Sequence, residues 1–171
     1  HSFMANYILA VIKVKVGRLD DALPLLETLR RMDPDNPKVD ELFGHYYYQA
    51  GNLEQAEAAY VATITKNPRR HKSQLYLGNI YLGQGKIAAA MERFRAAEQA
   101  DPLSPDIAYS IACGEALQQH ADASLASLRR AFYLGFRECG AVAENPELQS
   151  VRVSKEFSAI MADYCGKEVR R

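Results

Sequence analysis

The sequence contains no tryptophan, only three cysteines, and no excess of charge of either sign. Its 21 Lys and Arg residues balance its 21 Asp and Glu residues, so no basic surplus can neutralise a phosphate backbone, which argues against nucleic-acid binding. No apolar run reaches the roughly 20 residues that a membrane-spanning helix needs, which argues against membrane insertion. With 10 glycines and 7 prolines among 171 residues, collagen-like and disordered chains are also excluded. The remaining class is one globular domain or a short array of repeats.

The three cysteines carry weak information about the cellular compartment. Cys113, Cys139 and Cys165 are an odd number and form no CxxC motif, so we predict that each is an inert thiol, buried or half-buried. A cytoplasmic location is the simplest interpretation, with the periplasm as the open alternative. In an oxidising compartment, one disulfide and one free thiol would be expected instead.

The chain repeats itself with a period of 34 residues. When Gly44 is aligned with Gly78, the segment 44–68 falls on 78–102, and the matching pairs are Gly51 and Gly85, Tyr47 and Tyr81, Ala56 and Ala90, Tyr60 and Phe94, and Pro68 and Pro102. The period continues backwards through Gly17, Ala22, Leu26, Leu29 and Pro34, and more weakly forwards through Ala112, Ser124, Leu128 and Ala131. Four units are therefore predicted to start near residues 3, 37, 71 and 105.

Each unit is predicted to fold as two helices. Gly85 ends the first helix of its unit, because glycine adopts the left-handed conformation that other residues resist. The Asp101-Pro102 pair stops the second helix, since proline disfavours a helical conformation in the residue before it. Small residues such as Gly78 and Ala90 are expected where the paired helices cross.

This pattern resembles the tetratricopeptide repeat family. The third unit carries the family's small, aromatic and proline residues at every position: Gly78, Tyr81, Gly85, Ala90, Phe94, Ala97 and Pro102. The second unit departs from this pattern at Thr63. The first unit is a partial match, with Ala10 and Lys13 where the best units have Gly and Tyr. The fourth is also partial, with Ala112, Glu115 and Gln119 where the best units have Gly, Tyr and Gly. The resemblance covers roughly residues 3–136. It implies an all-α solenoid, a right-handed superhelix of about four helix pairs that serves as a protein-binding module.

The remaining segment, residues 137–171, is predicted to form a C-terminal helical cap on the repeat array of residues 1–136. A solenoid's last repeat has no neighbour to cover its apolar face, so an atypical closing segment is expected. The segment also resembles the tails that close many bacterial repeat proteins. A short helix is expected at 138–143, and burial is expected at Leu148, Val151, Phe157, Ile160, Met161 and Tyr164.

No catalytic motif is present. The sequence lacks GxGxxG, GxxxxGK[ST], HExxH and GxSxG, and its histidines and cysteines lack the spacing of a metal site. We therefore predict a non-enzymatic protein without a cofactor or metal. The basic pairs Arg69-Arg70 and Arg129-Arg130 are interpreted as solvated helix ends and faces, and Arg170-Arg171 as a tail.

The resemblance implies a peptide-binding groove on the concave side, lined by the first helix of each unit. The residues predicted to form it mix rings, an amide and a cation: His45, Tyr48, Lys72, Tyr76, Asn79 and Tyr109. His45 is interpreted as an ordinary polar residue of this groove. Some relatives grip a chain-terminal carboxylate here, but that clamp is disfavoured, because its lysine, asparagine and arginine positions hold Tyr7, Val11, Leu42 and Tyr76.

The predicted function is that of a scaffold or adaptor that holds a polypeptide segment in this groove. Three alternatives are kept: a secretion chaperone with tetratricopeptide repeats, a regulatory or substrate-recruiting fragment of a larger enzyme, and a self-assembling structural protein. The first helix is apolar on several faces, at Met4, Tyr7, Ile8 and Val11. We therefore expect that either a preceding part of a parent chain covers it or that it mediates self-association.

Overall fold

The structure, a computed structural model, describes residues 2–166; His1 and the predicted Arg170-Arg171 tail lie outside the described residues. Over the described residues every regular element is helical, which confirms the predicted all-α repeat fold. The elements are α1 (Phe3–Lys15), α2 (Leu19–Met32), α3 (Pro37–Gln49), α4 (Leu53–Lys66), α5 (His71–Gly83), α6 (Ile87–Ala100), α7 (Pro105–Leu117), α8 (Ala121–Leu134), α9 (Cys139–Glu144), a 3-10 helix (Pro146–Leu148), α10 (Gln149–Arg152) and α11 (Lys155–Cys165).

The helix ends recur with the sequence period because local residues determine them. Asn36, Asn52 and Ser104 cap α3, α4 and α7 by accepting hydrogen bonds from backbone N–H groups of the first turn. The turn between the two helices of a unit needs a positive φ, which glycine adopts without steric cost. The four turn residues, at intervals of 34, are Gly17 (φ 74°), Gly51 (76°), Gly85 (74°) and Gln119 (64°).

The chain divides into two compact units, residues 1–80 and 81–171. In the first unit, α1, α2 and α3 enclose a core that includes Ala10, Ala22, Leu26, Leu29 and Phe43, all buried. The α3–α4 crossing depends on Gly44, because a Cβ there would lie 2.5 Å from Cε1 of the fully buried Tyr60. The expected role of a small residue at a helix crossing is thus met at Gly44; the same role for Gly78 stays a prediction.

In the second unit, α7 packs against both α6 and α8. Phe94, Leu128 and Ala131 are fully buried, and Gly114 leaves room for the side chain of Met91. The Ser124 hydroxyl donates a hydrogen bond to the Ala112 carbonyl oxygen at 2.8 Å. This bond satisfies a buried polar group at a position where the second and third repeats have alanine.

The C-terminal helices cover α7 and α8. Leu148, Val151 and Ile160 are buried as predicted, and Tyr164 stacks on Phe132 with ring centroids 5.3 Å apart. The Ser150 hydroxyl donates to the Ala116 carbonyl oxygen at 3.1 Å, which fixes α10 to the end of α7. The division of the chain at residue 136 stays a prediction.

The cysteine prediction is wrong for two of the three residues. Cys139 and Cys165 form a disulfide between the start of α9 and the end of α11. Sequence spacing could not show this pairing, because the return of α11 brings together residues that are 26 positions apart. Cys113 is the buried free thiol that was expected, and burial raises its pKa well above the usual range. Among the described residues, no helix combines the length and apolarity needed to cross a membrane.

Candidate binding surface

Four aromatic rings of the first unit form a contiguous group, which we call the ring cluster: His45, Tyr48, Tyr60 and Tyr76. Ring centroids lie 4.8 Å apart for His45 and Tyr76, 5.1 Å for Tyr48 and Tyr76, and 5.7 Å for Tyr60 and Tyr76. Helices α3, α4 and α5 each contribute at least one ring. The structure therefore brings together three of the predicted groove residues, His45, Tyr48 and Tyr76.

A hydrogen bond inside the ring cluster fixes the orientation of His45. Its Nδ1 lies 2.7 Å from the Tyr60 hydroxyl oxygen. Burial, with a smaller contribution from the positive charge of Lys72, lowers the pKa of His45 to about 4, so the imidazole is neutral at pH 7. Burial also raises the pKa of Tyr60 far above its usual range. His45 is thus a partner in a buried hydrogen bond as well as a polar residue of the surface.

Sequence reasoning missed the part that Tyr60 plays in this group, although a signal was present. The equivalent position holds Leu26, Phe94 and Leu128 in the other repeats, so only the second repeat places a hydroxyl at this fully buried site. A buried tyrosine hydroxyl needs a hydrogen-bond partner. In the second repeat, that requirement points to a neighbouring polar side chain such as His45.

The cluster is open to solvent on one side. His45, Tyr48 and Tyr76 are half-buried, and the predicted groove residue Asn79 is half-buried one turn beyond Tyr76 on α5. Lys72 is exposed one turn before Tyr76. Five of the six predicted groove residues therefore lie in the first unit, with rings, an amide and a cation along neighbouring helices.

A cavity of about 260 Å³ lies beside the start of α5, and we call it the basic pocket. Its walls are formed by Tyr7, Glu41, Arg69, Arg70, His71 and Lys72. Glu41 is buried, and its carboxylate accepts hydrogen bonds from the Arg70 guanidinium and from the Ser73 hydroxyl, the latter at 2.8 Å. The interpretation of Arg70 as a solvated helix end is therefore wrong, because the buried carboxylate at the other end of the same repeat requires a cation beside it.

The sixth predicted groove residue, Tyr109, lies in the second unit and contacts the C-terminal segment. Its ring stacks on Phe136 with centroids 4.4 Å apart, and its hydroxyl accepts a hydrogen bond from Asn145 Nδ2 at 2.7 Å. The same amide nitrogen lies 3.4 Å from the Cys113 sulfur. Burial raises the pKa of Tyr109 above its usual range. The hydroxyl of Tyr109 is therefore already hydrogen-bonded within the chain, to Asn145.

Within residues 2–166, no group of three or more His, Cys, Asp or Glu side chains is arranged to hold a metal ion. The contacts that the structure gives to these candidate residues are ring contacts, hydrogen bonds and ion pairs.

Comparison with known proteins relates the chain to a repeat family. The family profile described as tetratricopeptide repeat matches residues 41–105. A solved thermophilic tetratricopeptide repeat protein of Thermus thermophilus is 20% identical with a TM-score of 0.73, and the match covers 98% of this chain and 94% of that one. PilF of Pseudomonas aeruginosa is 13% identical with a TM-score of 0.78, covering 95% and 72%. MamA of strain MSR-1 is 24% identical with a TM-score of 0.60, covering 78% and 77%.

At these identities the solved structures establish the fold alone. No curated protein is significantly similar to the chain in sequence. The profile match contains the two repeats with the strongest pattern, and the repeat fold indicates a protein–protein interaction module. Residues 41–105 therefore match the tetratricopeptide repeat family, and the solved structures share the helical repeat fold of the chain.

Proposed function

We propose that the chain is a non-enzymatic scaffold or adaptor that binds a polypeptide segment of a partner protein on the first unit. The ring cluster is the observation that carries this proposal. Half-buried rings from α3 and α5 stand next to Asn79 and Lys72. Aromatic side chains with one apolar face and one wet edge are enriched in protein interfaces, where they act as anchors.

The chemistry of the cluster favours an apolar anchor residue in the ligand. His45 is neutral at pH 7, so the rings of His45, Tyr48 and Tyr76 form a surface without a formal charge of their own. An apolar side chain that covers these rings removes both surfaces from water, which stabilises the complex. The amide of Asn79 lies one turn farther along α5, within reach of the ligand's backbone. Tyr109 is also predicted to contact the ligand. Its hydroxyl can do so only if the hydrogen bond from Asn145 breaks.

The test begins with peptides selected from a random displayed library on the intact chain. Calorimetric titration of a selected peptide should show that the double variant Tyr76→Ala, Asn79→Ala loses about 2 kcal/mol of binding free energy, or roughly 30-fold in affinity. Tyr133→Ala, which removes a tyrosine that is 81% exposed on α8, is the matched control and should bind normally. Circular dichroism of each variant verifies that the helices are intact. The proposal is wrong if the control abolishes binding while the double variant binds normally.

Self-association through α1 is a second candidate, and it has its own observation. Apolar side chains at every fourth position of this helix are exposed: Met4 by 58%, Ile8 by 52%, Ile12 by 50% and, just beyond the helix, Val16 by 62%. A stripe of this kind is typical of a helix that packs on another helix. Sedimentation at increasing concentration should reveal oligomers that the variant Ile8→Lys removes. A monomer at all concentrations would contradict this candidate.

The disulfide bears on the location that we propose. Disulfides persist in oxidising compartments and are rare in the reducing cytosol. The Cys139–Cys165 bond therefore favours the periplasmic alternative over the cytoplasmic prediction. Fractionation of cells that express the full gene would decide between the two.

A further inference from the structure

We infer that residues 138–147, which we call the strap, form a redox-controlled cover over one face of α7. The strap stays closed while the Cys139–Cys165 disulfide is intact, and it opens when a dithiol reduces that bond. The covered face contains Tyr109 and, one turn farther along α7, Cys113. The inference goes beyond the proposed function, because it concerns the second unit and the control of access to it.

Asn145 joins the strap to the covered face of α7. Its Nδ2 donates a hydrogen bond to the Tyr109 hydroxyl at 2.7 Å and lies 3.4 Å from the Cys113 sulfur. Burial, and then the charge of Glu147, raise the pKa of the Cys113 thiol, so a second strap residue lies near this sulfur. Cys113 is only 2% exposed. Displacement of the strap would therefore uncover both side chains of α7.

The strap has little structure of its own to keep it closed. Its helix, α9, has six residues, whereas isolated helices become marginally stable only at about 12 residues. Among the six residues of α9, Val142 alone is buried. Beyond the strap, Leu148 and Val151 are buried, so that end of the segment is held by packing. The disulfide at Cys139 is therefore the main constraint on the other end.

The disulfide connects the strap to a helix that is anchored independently. Ile160 of α11 is fully buried. Tyr164, which precedes Cys165, stacks on Phe132 of α8 with ring centroids 5.3 Å apart. These contacts keep α11 on α8 whether or not the disulfide is present. Reduction should therefore release the start of the strap and leave α11 in place.

The reduction can begin at the more accessible sulfur. Cys139 is half-buried, whereas Cys165 is buried. A thiolate of the dithiol attacks the Cys139 sulfur, the Cys139–Cys165 bond breaks, and Cys165 leaves as a thiolate that takes up a proton. The second thiol of the reductant then attacks the mixed disulfide and releases Cys139. Two electrons pass to the protein, and the dithiol becomes a disulfide.

An open strap changes the surface that the second unit presents. In the closed state, the Tyr109 hydroxyl is bonded to Asn145. Once Asn145 has left, this hydroxyl faces water beside a ring that is stacked on Phe136, an arrangement that suits an interface. Only this consequence for a ligand rests on the proposed function, in which Tyr109 contributes to binding.

The experiment uses Cys113 to detect opening, because it is the free thiol of the disulfide-bonded chain. Its rate of alkylation by iodoacetamide is followed by mass spectrometry. The double variant Cys139→Ser, Cys165→Ser should react about 30-fold faster than the unaltered chain, the lower end of the effect of losing a disulfide. The matched control is Gly44→Ala, which crowds Tyr60 in the first unit and keeps the disulfide; its rate should be unchanged.

Hydrogen exchange of the unaltered chain, before and after reduction by dithiothreitol, tests the same opening without a substitution. Reduction should remove the protection of amides in residues 139–147, while amides of α7 and α11 stay protected. The inference is overturned if the variant and the unaltered chain are alkylated at equal rates. It is also overturned if reduction lowers protection evenly across the second unit, because the strap would then not open as a separate segment.

A peptide selected on the reduced chain separates this inference from the proposed function. Tyr109→Ala should weaken its binding to the reduced chain about tenfold and leave binding to the oxidised chain unchanged. No effect in either state would show that the strap controls no binding surface, which overturns the inference and leaves binding at the ring cluster intact. Opening on reduction without peptide contacts at the ring cluster in either state would contradict the proposed function and support the strap.

Discussion

The substitution Gly44→Ala tests how closely α3 and α4 must approach. A Cβ added at Gly44 would lie 2.5, 2.7 and 2.9 Å from three ring atoms of Tyr60, whereas carbon atoms in favourable contact are about 3.5–4.0 Å apart. The ring would have to move by about 1 Å to restore that separation. It has little freedom to do so, because it is fully buried, its hydroxyl pairs with His45, and it stacks on Tyr76.

The expected cost follows from two opposing contributions. Overpacking of a rigid core site typically costs about 1–3 kcal/mol, and the constraints on Tyr60 place this site at the upper end. Replacing glycine by alanine inside a helix returns about 1 kcal/mol of helix propensity. Gly44→Ala should therefore reduce the free energy of unfolding by about 2 kcal/mol, which lowers the melting temperature by roughly 4–8 °C in a chain of this size.

The other repeats suggest the change that relieves the clash. The residue equivalent to Gly44 is alanine where the residue equivalent to Tyr60 is leucine, in Ala10 with Leu26 and in Ala112 with Leu128. The smaller leucine leaves the space that the alanine methyl group needs. In a Tyr60→Leu background, Gly44→Ala should therefore be stabilising by up to about 1 kcal/mol, because only the gain in helix propensity remains, and the coupling energy of the two changes should be about 3 kcal/mol.

The assay is thermal and urea unfolding of the two single variants, the double variant and a control. Gly83→Ala is the matched control, because no atom lies within 4 Å of a Cβ added there. This control should be neutral or slightly stabilising. The steric argument is refuted if Gly44→Ala and Gly83→Ala reduce the free energy of unfolding equally. It is also refuted if Gly44→Ala reduces that free energy by the same amount in the unaltered chain and in the Tyr60→Leu background.

Three further predictions concern other parts of the chain. Gln119→Gly should raise the free energy of unfolding by about 0.5–1 kcal/mol, because Gln119 holds a φ of 64° where the other repeats have glycine; a loss in urea titrations would contradict this. The neutral, half-buried His45 has a pKa of about 4 against 6.5 for the free side chain, so the unfolded chain binds more protons between these values. Stability should then fall by about 3 kcal/mol from pH 7 to pH 4, and His45→Gln should remove that part of the slope. Reduction of Cys139–Cys165 should cost about 2–4 kcal/mol in thermal unfolding, and mass spectrometry that finds three free thiols in the native chain would contradict the pairing.

The sequence could predict the helical repeat fold because short-range chemistry determines it. Glycines at the turns and prolines after the second helices act within a few residues of their position, and the 34-residue period multiplies each weak signal. The same reasoning explains the agreement on buried Phe157 and Ile160 in the last helix, where apolar residues at helical spacing predict burial.

The features that the sequence did not reveal all depend on contacts between distant segments. Predicting the Cys139–Cys165 bond and the Asn145 hydrogen bond to Tyr109 requires the path of the C-terminal segment. That segment carries no repeat from which its path could be predicted. The Glu41–Arg70 pair joins residues 29 positions apart, near opposite ends of one repeat. No local pattern encodes such a partner, because many placements of the segment satisfy the same hydrophobic periodicity.

Function in a repeat array is expected where one copy departs from the others, since residues that all copies share are needed for packing. Small residues at one helix-crossing position recur in every repeat, as Ala10, Gly44, Gly78 and Ala112, and at Gly44 their role is steric. His45 and Glu41 instead stand where the first repeat has Val11 and Tyr7, and the third has Asn79 and Leu75. The buried Glu41 requires Arg70, and the hydroxyl of Tyr60 is paired with His45. A buried acid and a buried hydroxyl each need such a partner. Neither makes the fold more stable than the apolar side chains that other repeats have at these positions. Their presence in the second repeat alone is therefore better explained by the surface that they organise, the basic pocket and the ring cluster, than by the stability of the fold.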